Sequence, residues 1–175
     1  MTSSAERRDD LRAAQTALLE RFAPDAQSRH VRWSGGETQV LELGHGRPML
    51  LVHGGLDNAF TWAPILQALA PQRRVIAIDL PGHGLADPFD FRGADLLGHA
   101  RKFTTEILNA LDVSVVDVVA SSIGAIYAVE LALTSPKRVS TLVLVGAPAG
   151  TTRPGAPLQL RVIALPVWAG DWGGD

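Results

Sequence analysis

Ser122 is the residue whose neighbours best suit it to act as a nucleophile. It lies in residues 120–124, ASSIG, between an apolar run typical of a buried strand and a stretch typical of a helix. A serine hydroxyl is a weak nucleophile that needs exposure, a neighbouring base and donors for the oxyanion that forms. A sharp strand-to-helix turn exposes it, but the turn requires small residues two positions to either side, here Ala120 and Gly124. Ser121 is the rival nucleophile, and it has bulky residues at the equivalent positions.

Two other glycine-containing turns also follow predicted buried strands. In residues 52–55, VHGG, exposed backbone N–H groups could donate to an oxyanion, because glycine lets a ligand approach closely. Residues 79–84, DLPGHG, predict a rigid turn. We predict that His53 is a hydrogen-bonded structural residue and that His83 is not a catalytic base.

The elements that carry these turns predict an α/β fold. Continuous rather than alternating apolar runs indicate strands buried on both faces, as in a parallel sheet. Helical stretches separate these runs, so we expect a mostly parallel sheet with helices on both faces. The predicted buried strands are residues 49–52, 75–78, 115–119 and 142–145, and the helices are residues 60–70, 94–111 and 124–134.

The flanking segments predict further elements. Residues 5–22 have the apolar spacing of an amphipathic helix that Pro24 ends. Residues 29–33 and 38–43 predict two antiparallel strands joined by a glycine turn. Residues 158–168 predict a short apolar helix.

The three turns, in this order and each after a buried strand, resemble those of the α/β-hydrolase family in its serine-nucleophile branch. The resemblance covers about residues 30–150. It implies that Ser122 is the nucleophile and that the backbone N–H groups of Gly55 and Ile123 form the oxyanion hole. It also implies hydrolysis of an ester, lactone, amide or carbon–carbon bond next to a carbonyl, through an acyl-enzyme. The dehalogenase and epoxide hydrolase branches of the family carry aspartate in place of this serine.

The chain departs from this family where the rest of the catalytic triad is expected. In the family the order is serine, then acid, then histidine. All five histidines precede Ser122, and the carboxylate side chains that follow it are Glu130, Asp171 and Asp175. Glu130 falls two helical turns after the serine and is expected to point away from it. The histidines are His30, His45, His53, His83 and His99.

We therefore expect the first six strands of the α/β-hydrolase fold, with the last two strands, which supply acid and base, missing. Residues 1–28 would be a helical extension, residues 29–150 an incomplete core, and residues 151–175 the truncated start of a lid. Because loss of a triad base leaves only about 10³–10⁴-fold acceleration over water, the chain as given is expected to be nearly inactive.

Two other functions remain open at this stage. The chain could be a non-catalytic α/β-hydrolase-like module that binds a ligand. It could also be one half of a split enzyme that a second chain completes. Residues 139–145, the sixth strand, would then be an unpaired apolar edge, and such edges recruit other chains or self-associate.

Composition narrows the remaining classes of function. The net charge is −2, with 46% hydrophobic and 19% charged residues, so we expect neither a nucleic-acid nor a membrane partner. The absence of cysteine excludes disulfides, thiolate metal sites and cysteine nucleophiles. The histidines lack the spacing of metal ligands, and we expect no metal, no cofactor and a small-molecule substrate. The polar N-terminus shows no signal peptide, so a cytoplasmic location is expected.

Overall fold

The structure is a computed structural model that describes residues 4–147 and, for the backbone, residues 162–165. Its described part contains a seven-stranded sheet in the order β1-β2-β4-β3-β5-β6-β7. The strands are β1 (Gln27–Trp33), β2 (Gly36–Leu43), β3 (Arg47–Val52), β4 (Arg73–Ile78), β5 (Val116–Ser121), β6 (Val139–Val145) and β7 (Val162–Leu165). The helices are α1 (Ser4–Phe22), α2 (Ala63–Leu69), α3 (Leu96–Ala110) and α4 (Gly124–Thr134), and a 3₁₀ turn at Ala59–Trp62 precedes α2.

The strand directions confirm the predicted mixed sheet. Strands β1 and β2 form the expected antiparallel hairpin, and β2 is also antiparallel to β4. All other pairs of neighbouring strands in the sheet are parallel. Val52, the last residue of β3, pairs with Ile78 of β4 on one side and Ala120 of β5 on the other. The turns after these three strands therefore meet at one edge of the sheet.

Apolar side chains cover both faces of this sheet, as the continuous apolar runs require. Along β3, Leu50 and Val52 face the larger core beneath α3 and α4, whereas Leu51 faces the smaller core beneath α2. Phe103 of α3 is fully buried in the larger core. Full burial of one such side chain contributes about 1.5–3 kcal/mol.

Helix α1 forms where it was predicted, and Leu19 packs against the smaller core, but the predicted apolar face is not the buried one throughout. Leu18, expected on the packed face, is 40% exposed, whereas Gln15 is buried. The helix contacts α2, and Arg8 donates a 3.0 Å hydrogen bond to the Leu85 carbonyl in the loop after β4. The helix is therefore held partly by polar contacts that its apolar spacing does not reveal.

Two predictions about the C-terminal region are wrong. Val162–Leu165 is a strand rather than part of a helix, because its backbone pairs in parallel with residues 142–145 of β6. The same pairing covers residues 142–145 of the β6 edge that was expected to be bare, and the binding of a second chain on this side of the sheet stays a prediction. The rest of the predicted lid start, residues 151–161 and 166–175, lies outside the described residues.

None of the helices in the described ranges has the length and apolar character needed to cross a bilayer.

Candidate active site

Ser122 occupies the strand-to-helix turn between β5 and α4, which we call the nucleophile elbow (residues 120–124). Its φ is +48°, a left-handed conformation that costs a non-glycine residue roughly 1–2 kcal/mol, and the residue is exposed. The Ser122 N–H donates to the Val145 carbonyl at 2.9 Å, and the Ser122 carbonyl accepts from the Ala125 N–H at 3.0 Å. The end of β6 and the first turn of α4 thus hold the strained residue in place.

Gly124 shows why the elbow needs small residues. A Cβ added to Gly124 would lie 2.4 Å from the His53 carbonyl oxygen and 2.9 Å from that of Val52. Real Cβ atoms do not approach so closely, and both oxygens belong to the backbone at the end of β3. Ala120, on the other side of the serine, is fully buried. The close approach of α4 to β3 therefore depends on glycine at position 124.

The loop that follows β3, residues 53–58, packs directly against this elbow. A Cβ added to Gly54 would lie 3.1 Å from Ser122 Cβ, and one added to Gly55 would lie 3.6 Å from Ile123 Cγ2. Within residues 4–147, neither the Gly55 N–H nor the Ile123 N–H donates to a protein acceptor. The loop that carries Gly55 therefore lies against the elbow, and in this range the N–H groups of Gly55 and Ile123 have no protein acceptor.

His53 has the structural role predicted for it. Its ring is fully buried, Nδ1 donates to the Gly54 carbonyl at 2.6 Å, and Nε2 accepts from the Leu80 N–H at 2.8 Å. Burial is the main cause that lowers the pKa of His53 to about 4, so the ring is neutral at physiological pH. Nε2 joins the turn after β3 to the turn after β4, Nδ1 is bonded within the loop itself, and His53 therefore has no free nitrogen to accept a proton from Ser122.

Asp79 makes the turn after β4 rigid, as predicted for residues 79–84. Its buried carboxylate accepts from the Ala59 N–H at 2.7 Å and from the Leu85 N–H at 2.8 Å. Burial raises the pKa of Asp79, and these two donors act in the opposite direction. A Cβ on Gly84 would lie 2.1 Å from one carboxylate oxygen. Sequence reasoning missed this link to the 3₁₀ turn, although an aspartate directly after an apolar strand was a signal for it.

A cavity of about 330 Å³ opens beside the elbow. Its lining is apolar except for one imidazole and one phenol: the residues are Leu80, His83, Phe91, Ala94, Leu96, Ile123 and Tyr127. Burial raises the pKa of Tyr127 to about 12, so its phenol stays protonated. Ile123 and Tyr127 stand four residues apart at the start of α4, which places them on one helix face. That spacing could have identified Tyr127 from the sequence.

The other candidate acid and base groups, the histidines and Glu130, are not assembled around Ser122. In the described residues, no histidine nitrogen is hydrogen-bonded to the Ser122 hydroxyl. The His99 ring lies among aromatic residues, 4.0 Å from the Phe89 ring centre. Glu130 is buried in α4. Nor does this part of the chain group three histidine, aspartate or glutamate side chains so that they could hold a metal ion.

Comparison with known proteins assigns the family. The sequence model of a family described as the alpha/beta hydrolase fold matches residues 47–175. The chain belongs to this family. The membership confirms the resemblance found in the three turns and accounts for the strand order around the elbow.

Relatives within the alpha/beta hydrolase family include enzymes named for different substrates. The chain is 35% identical over 129 residues to a 2-hydroxy-6-oxo-2,4-heptadienoate hydrolase of Pseudomonas putida, covering 68% of this chain and 44% of that protein. It is 35% identical over 101 residues to a pimeloyl-[acyl-carrier protein] methyl ester esterase of Legionella pneumophila, covering 57% of this chain and 38% of that protein.

Solved structures agree on the fold. Naproxen esterase from Bacillus subtilis matches with a TM-score of 0.73 and 18% identity, covering 84% of this chain and 51% of that one. Identity this low shows the fold alone. The chain spans about half the length of these matched proteins or less.

Proposed function

We propose that this chain carries the nucleophile and oxyanion hole of a serine hydrolase that attacks a carbonyl carbon, in an ester or in a carbon–carbon bond next to a carbonyl. The observation that carries the proposal is the exposed Ser122 at φ +48°. Such strain persists only where the surrounding structure imposes it, and it is concentrated at functional sites. Relatives named as a heptadienoate hydrolase and as a methyl ester esterase support the same class of reaction.

The proposed reaction uses groups that meet at the nucleophile elbow. Ser122 Oγ forms a bond to the carbonyl carbon, and the carbonyl oxygen becomes an oxyanion that accepts from the N–H groups of Gly55 and Ile123. Losing one such donor typically costs about 10²–10³ in rate. The leaving group departs with a proton, and water then hydrolyses the acyl-enzyme. The apolar cavity beside Ile123 would hold the apolar part of the substrate.

A base must take the proton from Ser122 Oγ, and no described side chain is hydrogen-bonded to that hydroxyl. This observation favours a second candidate, a non-catalytic module of the same fold that binds a ligand at the elbow. The two functions differ in whether Ser122 forms a covalent bond.

Labelling with an alkyl fluorophosphonate, followed by peptide mass spectrometry, tests the proposal. We expect slow modification of Ser122 in the purified chain and its loss in Ser122→Ala. Ser121→Ala is the matched control, because Ser121 is the adjacent serine and is only half-buried; it should leave the labelling intact. Labelling that survives in Ser122→Ala, or that occurs on Ser121 instead, would contradict the proposal. Turnover of p-nitrophenyl acetate should remain near the level expected without a base.

A further inference from the structure

Asp57 lies in the loop that also supplies the proposed oxyanion donor Gly55. One carboxylate oxygen, Oδ1, accepts a 3.1 Å hydrogen bond from the Thr61 hydroxyl, which orients the side chain. Within the described residues the other oxygen, Oδ2, makes no hydrogen bond and no ion pair. The side chain is exposed, so Oδ2 is available to a ligand.

This oxygen lies close to the nucleophile. The position of a Cβ on Gly54 is 3.7 Å from Asp57 Oδ2 and 3.1 Å from Ser122 Cβ. Because both distances start from one point, Oδ2 and Ser122 Cβ are no more than about 7 Å apart. Asp57 also interacts electrostatically with the His53 ring beneath the loop. The carboxylate therefore lies beside the site where a substrate carbonyl would sit.

A carboxylate at this place does not help the proposed reaction itself. Its negative charge repels an oxyanion held by the neighbouring N–H groups. The buried His53 is neutral and does not compensate the charge, and no arginine or lysine of the described residues pairs with it. The negative charge of Asp57 therefore acts on any ligand that binds next to Ser122.

We propose that Asp57 forms a subsite for a positively charged group, such as an ammonium, on the substrate or ligand that binds at Ser122. This rests on the proposed function only in taking Ser122 as the centre of the site. The ligand would place an apolar part in the cavity beside Ile123 and a cationic part near Asp57. A ligand with a carboxylate in the second position would bind more weakly.

Coulomb's law sets the expected size of the effect. For a unit charge about 7 Å from Asp57 in a water-like dielectric, a cationic ligand binds roughly sevenfold more tightly than an anionic ligand of the same shape. The preference should shrink at 1 M salt, where the screening length is about 3 Å.

Three phenylboronic acids test the subsite on the full chain: the unsubstituted acid, the 3-trimethylammonio acid and the 3-carboxy acid. Ser122 Oγ would add to boron and lose its proton to solvent, which gives a tetrahedral anion like the proposed intermediate. Calorimetry should give a ratio of cationic to anionic affinity that is about sevenfold higher in the unaltered chain than in Asp57→Asn, because comparing the two proteins cancels the different intrinsic acidities of the acids. Asp112→Asn, which removes an exposed carboxylate ahead of β5 at the opposite edge of the sheet, should leave the ratio unchanged.

A second pair of ligands separates this inference from the proposed function. Benzyltrimethylammonium and phenylacetate bind without a covalent bond and can be compared on Ser122→Ala. If boronates form no Ser122 adduct but the cation still binds more tightly than the anion, and Asp57→Asn removes that preference, the subsite stands and the hydrolase proposal fails. If adducts form and the ratio of affinities is the same in the unaltered chain and in Asp57→Asn, the subsite is refuted and the hydrolase proposal stands. If no ligand binds in either series, both are refuted.

Discussion

Replacing Gly124 with alanine tests whether the contact between α4 and β3 builds the nucleophile elbow. The structure places the new methyl group 2.4 Å from the His53 carbonyl oxygen and 2.9 Å from that of Val52. Neither oxygen can move without displacing the end of β3 and the loop that holds Gly54 and Gly55. The substitution should therefore destabilise the fold and also disturb the proposed oxyanion hole.

Two opposing effects decide the size of the change. Gly124 is the first residue of α4, where alanine's better helix propensity would add at most about 1 kcal/mol to the free energy of unfolding. Overpacking in a filled site costs about 1–3 kcal/mol. The upper end of that range applies here, because the contacted atoms are backbone oxygens rather than flexible side chains. The net loss is then about 2 kcal/mol, and for a chain of this size the melting temperature should fall by about 4–8 °C.

Gly55→Ala is the matched control. Its Cβ would meet only Ile123 Cγ2 at the ordinary contact distance of 3.6 Å, and no positive φ is recorded for Gly55. We expect it to change the melting temperature by less than about 2 °C, since it adds neither strain nor overpacking. Thermal unfolding followed by circular dichroism would compare the two variants. A stabilised Gly124→Ala protein, or equal losses in both variants, would refute the packing argument.

Three further outcomes follow from the same geometry. Ser122→Gly should raise the free energy of unfolding by roughly 0.5–1 kcal/mol, because glycine tolerates φ +48°, and an unchanged urea midpoint would argue against strain at the elbow. Asp79→Asn should lower the free energy of unfolding by about 2 kcal/mol, since an amide cannot accept from both the Ala59 and Leu85 N–H groups as the carboxylate does; urea midpoints would measure it. The depressed pKa of His53 means that the unfolded chain binds one proton more between pH 6.5 and about 4, so the free energy of unfolding should fall by about 3 kcal/mol as the pH falls through this range. His53→Gln should lack that part of the pH dependence, and an identical pH profile in this variant would assign it to other groups.

The sheet and the elbow were predictable because their signals are local. A parallel strand buried on both faces needs a continuous apolar run, and residues 49–52 and 75–78 are such runs. The steric demand of a strand-to-helix turn acts over two residues, which is why Ala120 and Gly124 already indicated the nucleophile elbow. His53 was predicted to be structural because it lies in a glycine turn directly after a buried strand.

The other features depend on tertiary packing, which the local sequence pattern indicates only weakly. Phe91 reaches the cavity from the long loop between β4 and α3, where no periodicity marks a binding residue. Strand β7 was predicted as a helix because a short apolar run fits either element until its pairing partner is known. Gln15 is buried through its contacts with the rest of the fold rather than through its own hydrophobicity.

The arrangement of the turns also limits how Ser122 can acquire a base. On one side of the elbow, a Cβ on Gly54 would lie 3.1 Å from Ser122 Cβ and 3.7 Å from Asp57 Oδ2. Both ring nitrogens of His53, the first residue of the loop that follows β3, are hydrogen-bonded to backbone groups. On the other side, the last carbonyl of β6, at Val145, accepts from the Ser122 N–H. The cavity beside Ile123 is bordered by a second imidazole, that of His83, whose Nδ1 lies 3.1 Å from the Pro81 carbonyl oxygen. In the proposed reaction the turns after β3, β4 and β5 hold the nucleophile and the oxyanion donors, and His53 is not the base.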